Sequence, residues 1–233
     1  MQHVVRVFSL CGPPGAGKGT LAVRCQKELQ AAFLSVGDLC RKYIAQENEL
    51  GRLFSYYINQ GMLVPDELII TMVNEWMVEA LHSSAYIMLD GYPRTVAQAE
   101  ALIHFLKKNT NVLFEVLFFD VIDDVVVDRI SARLVCSNAA CQAIYSLLIK
   151  PPQTLGYCDV CSAPLMRRRD DDPSVVRTRL QSYNCIRNAL VDCYQKQQVT
   201  LKVLDATYLT QQQVFNWFID HCVPAQERKE IAL

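Results

Sequence analysis

The sequence lacks any uninterrupted run of the roughly 18 apolar residues that mark a membrane-spanning helix. Its most apolar stretch, residues 112–121, is broken by Glu115 and Asp120. An excess of charge of either sign is missing too: Lys and Arg total 23 against 24 Asp and Glu, for a formal net charge of -1. That balance excludes a generally basic nucleic-acid-binding surface and requires any anion site to be a local cluster of cations. A secretory leader would need a longer apolar region followed by small residues, whereas MQHVVRVFSLCGPPGAGKG passes from a short apolar run straight into Gly, Pro and Lys. With no such leader, no linker and no internal repeat, the chain reads as soluble and cytoplasmic.

What is present is enough apolar material for a self-sufficient fold. Of 233 residues, 51% are hydrophobic, and at about 150 residues per domain this predicts one large or two small domains burying about 70% of the unfolded surface. Cysteine is abundant at 10 residues, which in a chain of this length without a leader points to reduced thiols or metal rather than a disulfide scaffold. Cys136, Cys141, Cys158 and Cys161 fall within 26 residues of one another. Cys11, Cys25, Cys40, Cys185, Cys193 and Cys222 are scattered singly and are expected to be small buried hydrophobes.

Short runs rich in Val, Ile and Phe at 4–11, 32–35, 86–90, 113–121 and 200–205 read as buried strands. They alternate with helical patterns near 18–30, 65–82, 95–108, 122–135, 173–197 and 210–222. The alternation predicts an α/β fold with a doubly wound parallel sheet, with function at the carboxyl ends of the strands. Two segments break it: a polar, largely helical insert over about 37–64, and residues 136–170 with the cysteine cluster and little helical period. The ending PAQERKEIAL reads as a frayed, solvated tail.

The first strand runs into Gly12-Pro13-Pro14-Gly15-Ala16-Gly17-Lys18-Gly19-Thr20 and then a helix. Glycines there let successive backbone N–H groups turn inward around a phosphate, the helix N-terminus adds positive potential, Lys18 reaches the outer phosphates, and Thr20 can bind magnesium. Gly19 stands between the Lys and the hydroxyl residue, a variant of the general pattern. This GxPGxGKGT form opens the nucleoside monophosphate kinases, and the rest of the chain resembles adenylate kinase almost end to end. Ser35-Val36-Gly37-Asp38-Leu39-Cys40-Arg41 is similar to the family's STGDxxR, and GMLVPDEL at 61–68 to its GxLVPDEL. LDGYPRTVAQA at 89–99 resembles LDGFPRTxxQA, and Arg168, Asp170, Asp171, Arg177 and Arg179 fall on RxDD followed by RxRL.

The resemblance implies a P-loop core of five parallel strands (1–35, 65–135 and 171–233), an AMP-binding insert (36–64) and a small hinged lid (136–170). It implies that Lys18, Arg94, Arg133, Arg168 and Arg179 are catalytic. Gly15, Ala16, Gly17, Lys18, Gly19, Thr20 and Arg129 would hold ATP, and Val36, Arg41, Val64, Gly91, Arg94 and Gln98 would hold AMP. Thr20, and Asp90 through water, would hold magnesium. Such chemistry needs these residue types because phosphoryl transfer between polyanions is mostly positioning and charge neutralisation. Arg129 and Arg133, four apart in the helical pattern, are expected to share one face. Val36 replaces the family's usual Thr, removing a hydroxyl near the monophosphate, and Ala206 replaces a frequent Gly.

Cys136-x4-Cys141, 16 intervening residues, and Cys158-x2-Cys161 form two close pairs. Four thiolates so arranged can surround a structural zinc with no position left for water; four free thiols or two lid disulfides are the alternatives. The partners expected are the small molecules ATP, AMP and ADP, with neither nucleic acid nor membrane, and the chain is expected to be a monomer. Two other functions remain open: a kinase preferring UMP, CMP or GMP, and a catalytically silent nucleotide-binding protein using the zinc lid as an interaction module.

Overall fold

The computed structural model describes residues 4–46, 48–138, 141 and 143–228. Five strands, β1 (Val5–Cys11), β2 (Ala32–Ser35), β3 (Tyr86–Asp90), β4 (Val112–Asp120) and β8 (Thr200–Asp205), form one parallel sheet in the order β2-β3-β1-β4-β8. Side chains alternate between its faces, as the two-residue period of a strand requires. Phe8 and Leu10 of β1, with Leu117 and Phe119 of β4, join a core of Leu21, Phe215 and Phe218 beneath α1 (Lys18–Leu29) and α8 (Gln211–Cys222). Val7 turns the other way to meet Val73, Met77 and Leu102 from α4 (Asp66–Ser83) and α5 (Val96–Lys107). Phe118 and Val116 pack with Tyr194 of α7 (Pro173–Lys196). Helices on both sides make the strands apolar on both faces, the pattern visible in the sequence.

Local chemistry sets the helix starts. Ser35, Thr95 and Thr210 each accept a backbone N–H three residues on, and Thr210 with Gln213 completes a capping box. Asp172 caps α7 with Pro173 at its first position. The insert after β2 consists of α2 (Val36–Ala45) and α3 (Glu49–Asn59).

Three expectations are corrected. The helix expected over 122–135 ends early: α6 spans Asp123–Ser131, and Arg133–Cys136 is strand β5, paired antiparallel with β6 (Ile144–Ser146) and β7 (Leu165–Met166). Cross-strand partners for Leu134 and Val135 outweigh helical periodicity there, so Arg129 and Arg133 do not share a helical face. The tail is not simply frayed, because Glu227 accepts the Tyr86 hydroxyl and Arg228 donates to the carbonyls of Val223 (2.8 Å) and Asp220 (2.6 Å); residues 229–233 lie outside the described residues. Finally, Cys185 is exposed, whereas Cys11, Cys25, Cys40, Cys193 and Cys222 are buried as expected.

Candidate active site

The loop after β1 lies at the carboxyl rim of the central strand. Gly12 and Gly15 are there for space: a Cβ on Gly12 would come within 2.9 Å of the Phe119 carbonyl, and one on Gly15 within 2.8 Å of Ile130. Gly17 starts α1 in a left-handed conformation, with φ of 98° and no side-chain cap, which leaves the first N–H groups of the helix to an anion. Lys18 Nζ donates to the carbonyls of Gly12 (2.9 Å) and Pro13 (2.7 Å), so the ammonium is held at the mouth of the loop. Burial pushes its pKa down to about 8, assisted by the positive charges of Arg94 and Arg179 and opposed by Asp90.

The absence of a side chain at Gly19 has a physical reason: a Cβ there would lie 2.9 Å from Asp90 Oδ2. The carboxylate at the end of β3 therefore rests against the first turn of α1, where Thr20 also sits. A hydroxyl and a carboxylate are the hard oxygen donors that magnesium takes, so these residues fit the ion.

Arginines gather over this rim, each held by an acid or a carbonyl. Arg94 Nε donates to the Gly91 carbonyl (2.9 Å), and Gly91 takes a left-handed φ of 74° that favours glycine. Arg133 pairs with Asp171, donating Nε to Oδ2 at 2.9 Å and Nη2 to Oδ1. Arg179 Nη1 bonds both the carbonyl (3.1 Å) and the carboxylate (3.0 Å) of Asp170. Arg168 lies 3.6 Å from Asp38, and Arg41, which donates to Asp38, is 3.7 Å from Asp170. Burial lowers the pKa of Arg168 and of Arg179 to about 10. At Asp38 and Asp170 burial works the other way, but the surrounding arginines overcome it and hold both carboxyls below their usual range.

Arg41, Asp38 and Asp170 thus tie α2 to the turn that precedes α7. The sequence names every arginine in this group but assigns no role to the three aspartates that aim them; their position beside arginines in the motifs is the only signal. Arg129 is brought to a different place, donating Nη2 to the carbonyls of Ala206 and Thr207 at 3.0 Å each. Arg177 is directed away, into a groove with Asp123, Asp124 and Asp128.

A second cleft opens beside the loop, lined by Val36, Val64, Gly91, Arg94 and Gln98. A family model for adenylate kinase matches residues 10–199, which include the phosphate loop, this cleft and the arginine cluster. The chain belongs to the adenylate kinase family. It is similar to the adenylate kinase of Streptomyces avermitilis (41% identical over 194 residues, 83% of this chain and 87% of the relative). It is also similar to those of Thermosipho melanesiensis (43% over 185 residues, 79% and 85%) and Clostridium novyi (38% over 212 residues, 91% and 96%). It is a nucleoside monophosphate kinase, a phosphotransferase.

The segment 136–170 has almost no core of its own. Among its described residues one small apolar cluster is buried, made of Cys136, Tyr145 and Cys158. The sulfurs of Cys136, Cys141, Cys158 and Cys161 all lie within 4.8 Å of one another, with Cys136–Cys161 at 3.4 Å and Cys141–Cys158 at 3.7 Å. A tetrahedron of ligands 2.3 Å from zinc has edges of about 3.8 Å, so the four residues fit that ion. The Tyr145 hydroxyl, 3.4 Å from Cys158 Sγ, holds that thiol down at about 6, near the ionisation a metal ligand needs. Among the described residues no helix is long and apolar enough to cross a membrane.

Proposed function

We propose that this kinase moves the terminal phosphoryl group of ATP to AMP, reversibly, giving two ADP. Lys18, Arg94, Arg133, Arg168 and Arg179 would neutralise the oxygens that pass between the nucleotides. One observation carries the assignment: these cations are close enough to repel. Burial is the largest cause of the lowered pKa of Lys18, Arg179 and Arg168, and neighbouring cations add to it: Arg94 and Arg179 at Lys18, Arg94 and Arg133 at Arg179, Arg41 and Arg133 at Arg168. A cluster of like charges at a rim of backbone N–H groups is relieved by a polyanion set between them.

In this reading the loop from Gly15 to Thr20 and Arg129 receive ATP. Val36, Arg41, Val64, Gly91, Arg94 and Gln98 receive AMP, and residues 136–170 close over both as a lid, with 36–64 as the acceptor insert. Magnesium bound with ATP draws charge from the phosphate oxygens; Thr20, and Asp90 through water, would hold it. Closure excludes water, which protects ATP from hydrolysis. The chain would act on these nucleotides as a monomer. The lid segment 142–160 has only Lys150 as a basic residue, which supports neither nucleic acid nor membrane as a partner. A place in the cytoplasm agrees with cysteines that are all free among the described residues.

Buried Val36, lacking a hydroxyl, favours a second reading in which another monophosphate is preferred. A coupled assay with ATP and magnesium across AMP, GMP, CMP and UMP separates the two. AMP is expected to be the fastest acceptor, and a clear preference for a pyrimidine would overturn the AMP assignment.

A further inference from the structure

Gln98 is 2% exposed, lines the cleft proposed for AMP, and has both ends of its amide engaged by neighbours of fixed polarity. Its Oε1 accepts the Arg94 backbone N–H at 2.8 Å, and its Nε2 donates to Asp66 Oδ1 at 2.7 Å. The other oxygen of Asp66 accepts the Thr95 hydroxyl at 2.7 Å, and that hydroxyl in turn accepts the Gln98 backbone N–H at 3.1 Å. A backbone N–H only donates and a carboxylate only accepts. Turning the amide over would set oxygen against the Asp66 carboxylate and NH2 against the Arg94 N–H, two repulsive contacts in place of two hydrogen bonds. The amide therefore has one allowed orientation. One N–H and one lone pair remain for a ligand, and their order is set by the protein.

That order matters to a purine. A 6-aminopurine presents a donor at its exocyclic nitrogen and an acceptor at N1; a 6-oxopurine presents an acceptor at O6 and a donor at N1, the reverse pair. An amide that cannot flip matches one and opposes the other, whereas an amide free to flip satisfies both. We propose that Asp66, which starts α4 and touches no substrate atom in this reading, is a positioning residue. It locks the Gln98 amide and so sets the preference for a 6-aminopurine monophosphate over a 6-oxopurine one. The proposal rests on the reading of the cleft as the AMP site.

The test uses the full chain with ATP and magnesium, and AMP or inosine monophosphate as acceptor, since these differ only at the base edge in question. In Asp66→Asn the side chain keeps its shape but can present either an acceptor or a donor. In Asp66→Ser the hydroxyl donates as readily as it accepts, and serine at a helix start is well tolerated, so this variant serves if the first fails to fold. Each is expected to lower the ratio of kcat/KM for AMP to that for inosine monophosphate by about tenfold or more. The change should lie in the KM for the acceptor, with the KM for ATP in place. A folded variant with an unchanged ratio, or with equal losses for both acceptors, overturns the lock. A wild-type enzyme that uses the two acceptors equally well also overturns the lock, whereas one that uses neither and prefers a pyrimidine monophosphate overturns instead the assignment of the cleft to AMP.

Discussion

Arg94 stands exposed after β3, with its Nε on the Gly91 carbonyl. Nothing in the core depends on it, so its removal should act on rate rather than on folding. Losing one charge-stabilising donor costs about 2.7–4 kcal/mol in the barrier, or about a hundred- to a thousandfold. Arg94→Ala is expected to show that loss in turnover with the melting temperature in place, and comparable activity without the guanidinium would reject its role. Lys18 makes a pH prediction. With its pKa lowered from 10.5 to about 8 by burial, the folded chain binds fewer protons there than the unfolded chain between those values, so stability rises with pH across that window. Function runs the opposite way, because only the cation attracts phosphate. The kcat/KM for ATP should fall as pH rises through about 8 in the free enzyme, and Lys18→Arg, which keeps its charge, should lose that limb; a limb of the same midpoint in the arginine variant assigns the titration elsewhere. At this scale the sequence shows the cations well, because each stands in a motif. It hides Asp38, Asp66, Asp170 and Asp171 as partners, because a carboxylate acquires its role from whatever lies opposite it in space.

Among the elements, the small antiparallel sheet β6-β5-β7 is the least self-supporting. Its buried cluster of Cys136, Tyr145 and Cys158 contains two of the four thiols, while Leu148 (67% exposed), Leu155 (77%) and Val160 (74%) face water. A site closed by four thiolates has no open coordination position, so its contribution is to order the lid rather than to touch phosphate. Removing the metal with a chelator, or Cys158→Ser, is expected to lower the melting temperature of the lid and leave the P-loop core intact. Activity should fall with it, because Arg133 opens β5 and Arg168 follows β7, so both lose their placement. Metal analysis, calorimetry and kinetics on one sample check this: about one zinc per chain is expected, and a metal-free protein with full activity and an unchanged melting curve rejects it. The same sheet is where sequence periodicity misled. Residues 133–136 continue the apolar spacing of α6, yet they pair with β6 and β7, whose contribution lies 8 or more residues further along the chain.

For the whole molecule, a polyanion bound at the arginine cluster stabilises the entire fold by mass action. At a hundred times its Kd, a ligand bound only by the native state adds about 2.7 kcal/mol, which for a chain of this size is on the order of 5–10 °C in Tm. ADP with magnesium is expected to give such a shift and an uncharged nucleoside little or none; equal shifts from both would mean that the cluster does not bind phosphate. The sequence by itself determined the parallel α/β core, the phosphate loop, the arginine positions and the four-cysteine group, because these rest on local periodicity, on glycine at fixed offsets, and on residue types whose chemistry is the same in any surroundings. The tertiary structure alone decided which aspartate holds which arginine, the end of α6 at Ser131, the return of Glu227 to Tyr86, and the orientation of the Gln98 amide. Each of these depends on a partner distant in sequence, and the free energy of a contact is not written in either residue until folding has brought the two together.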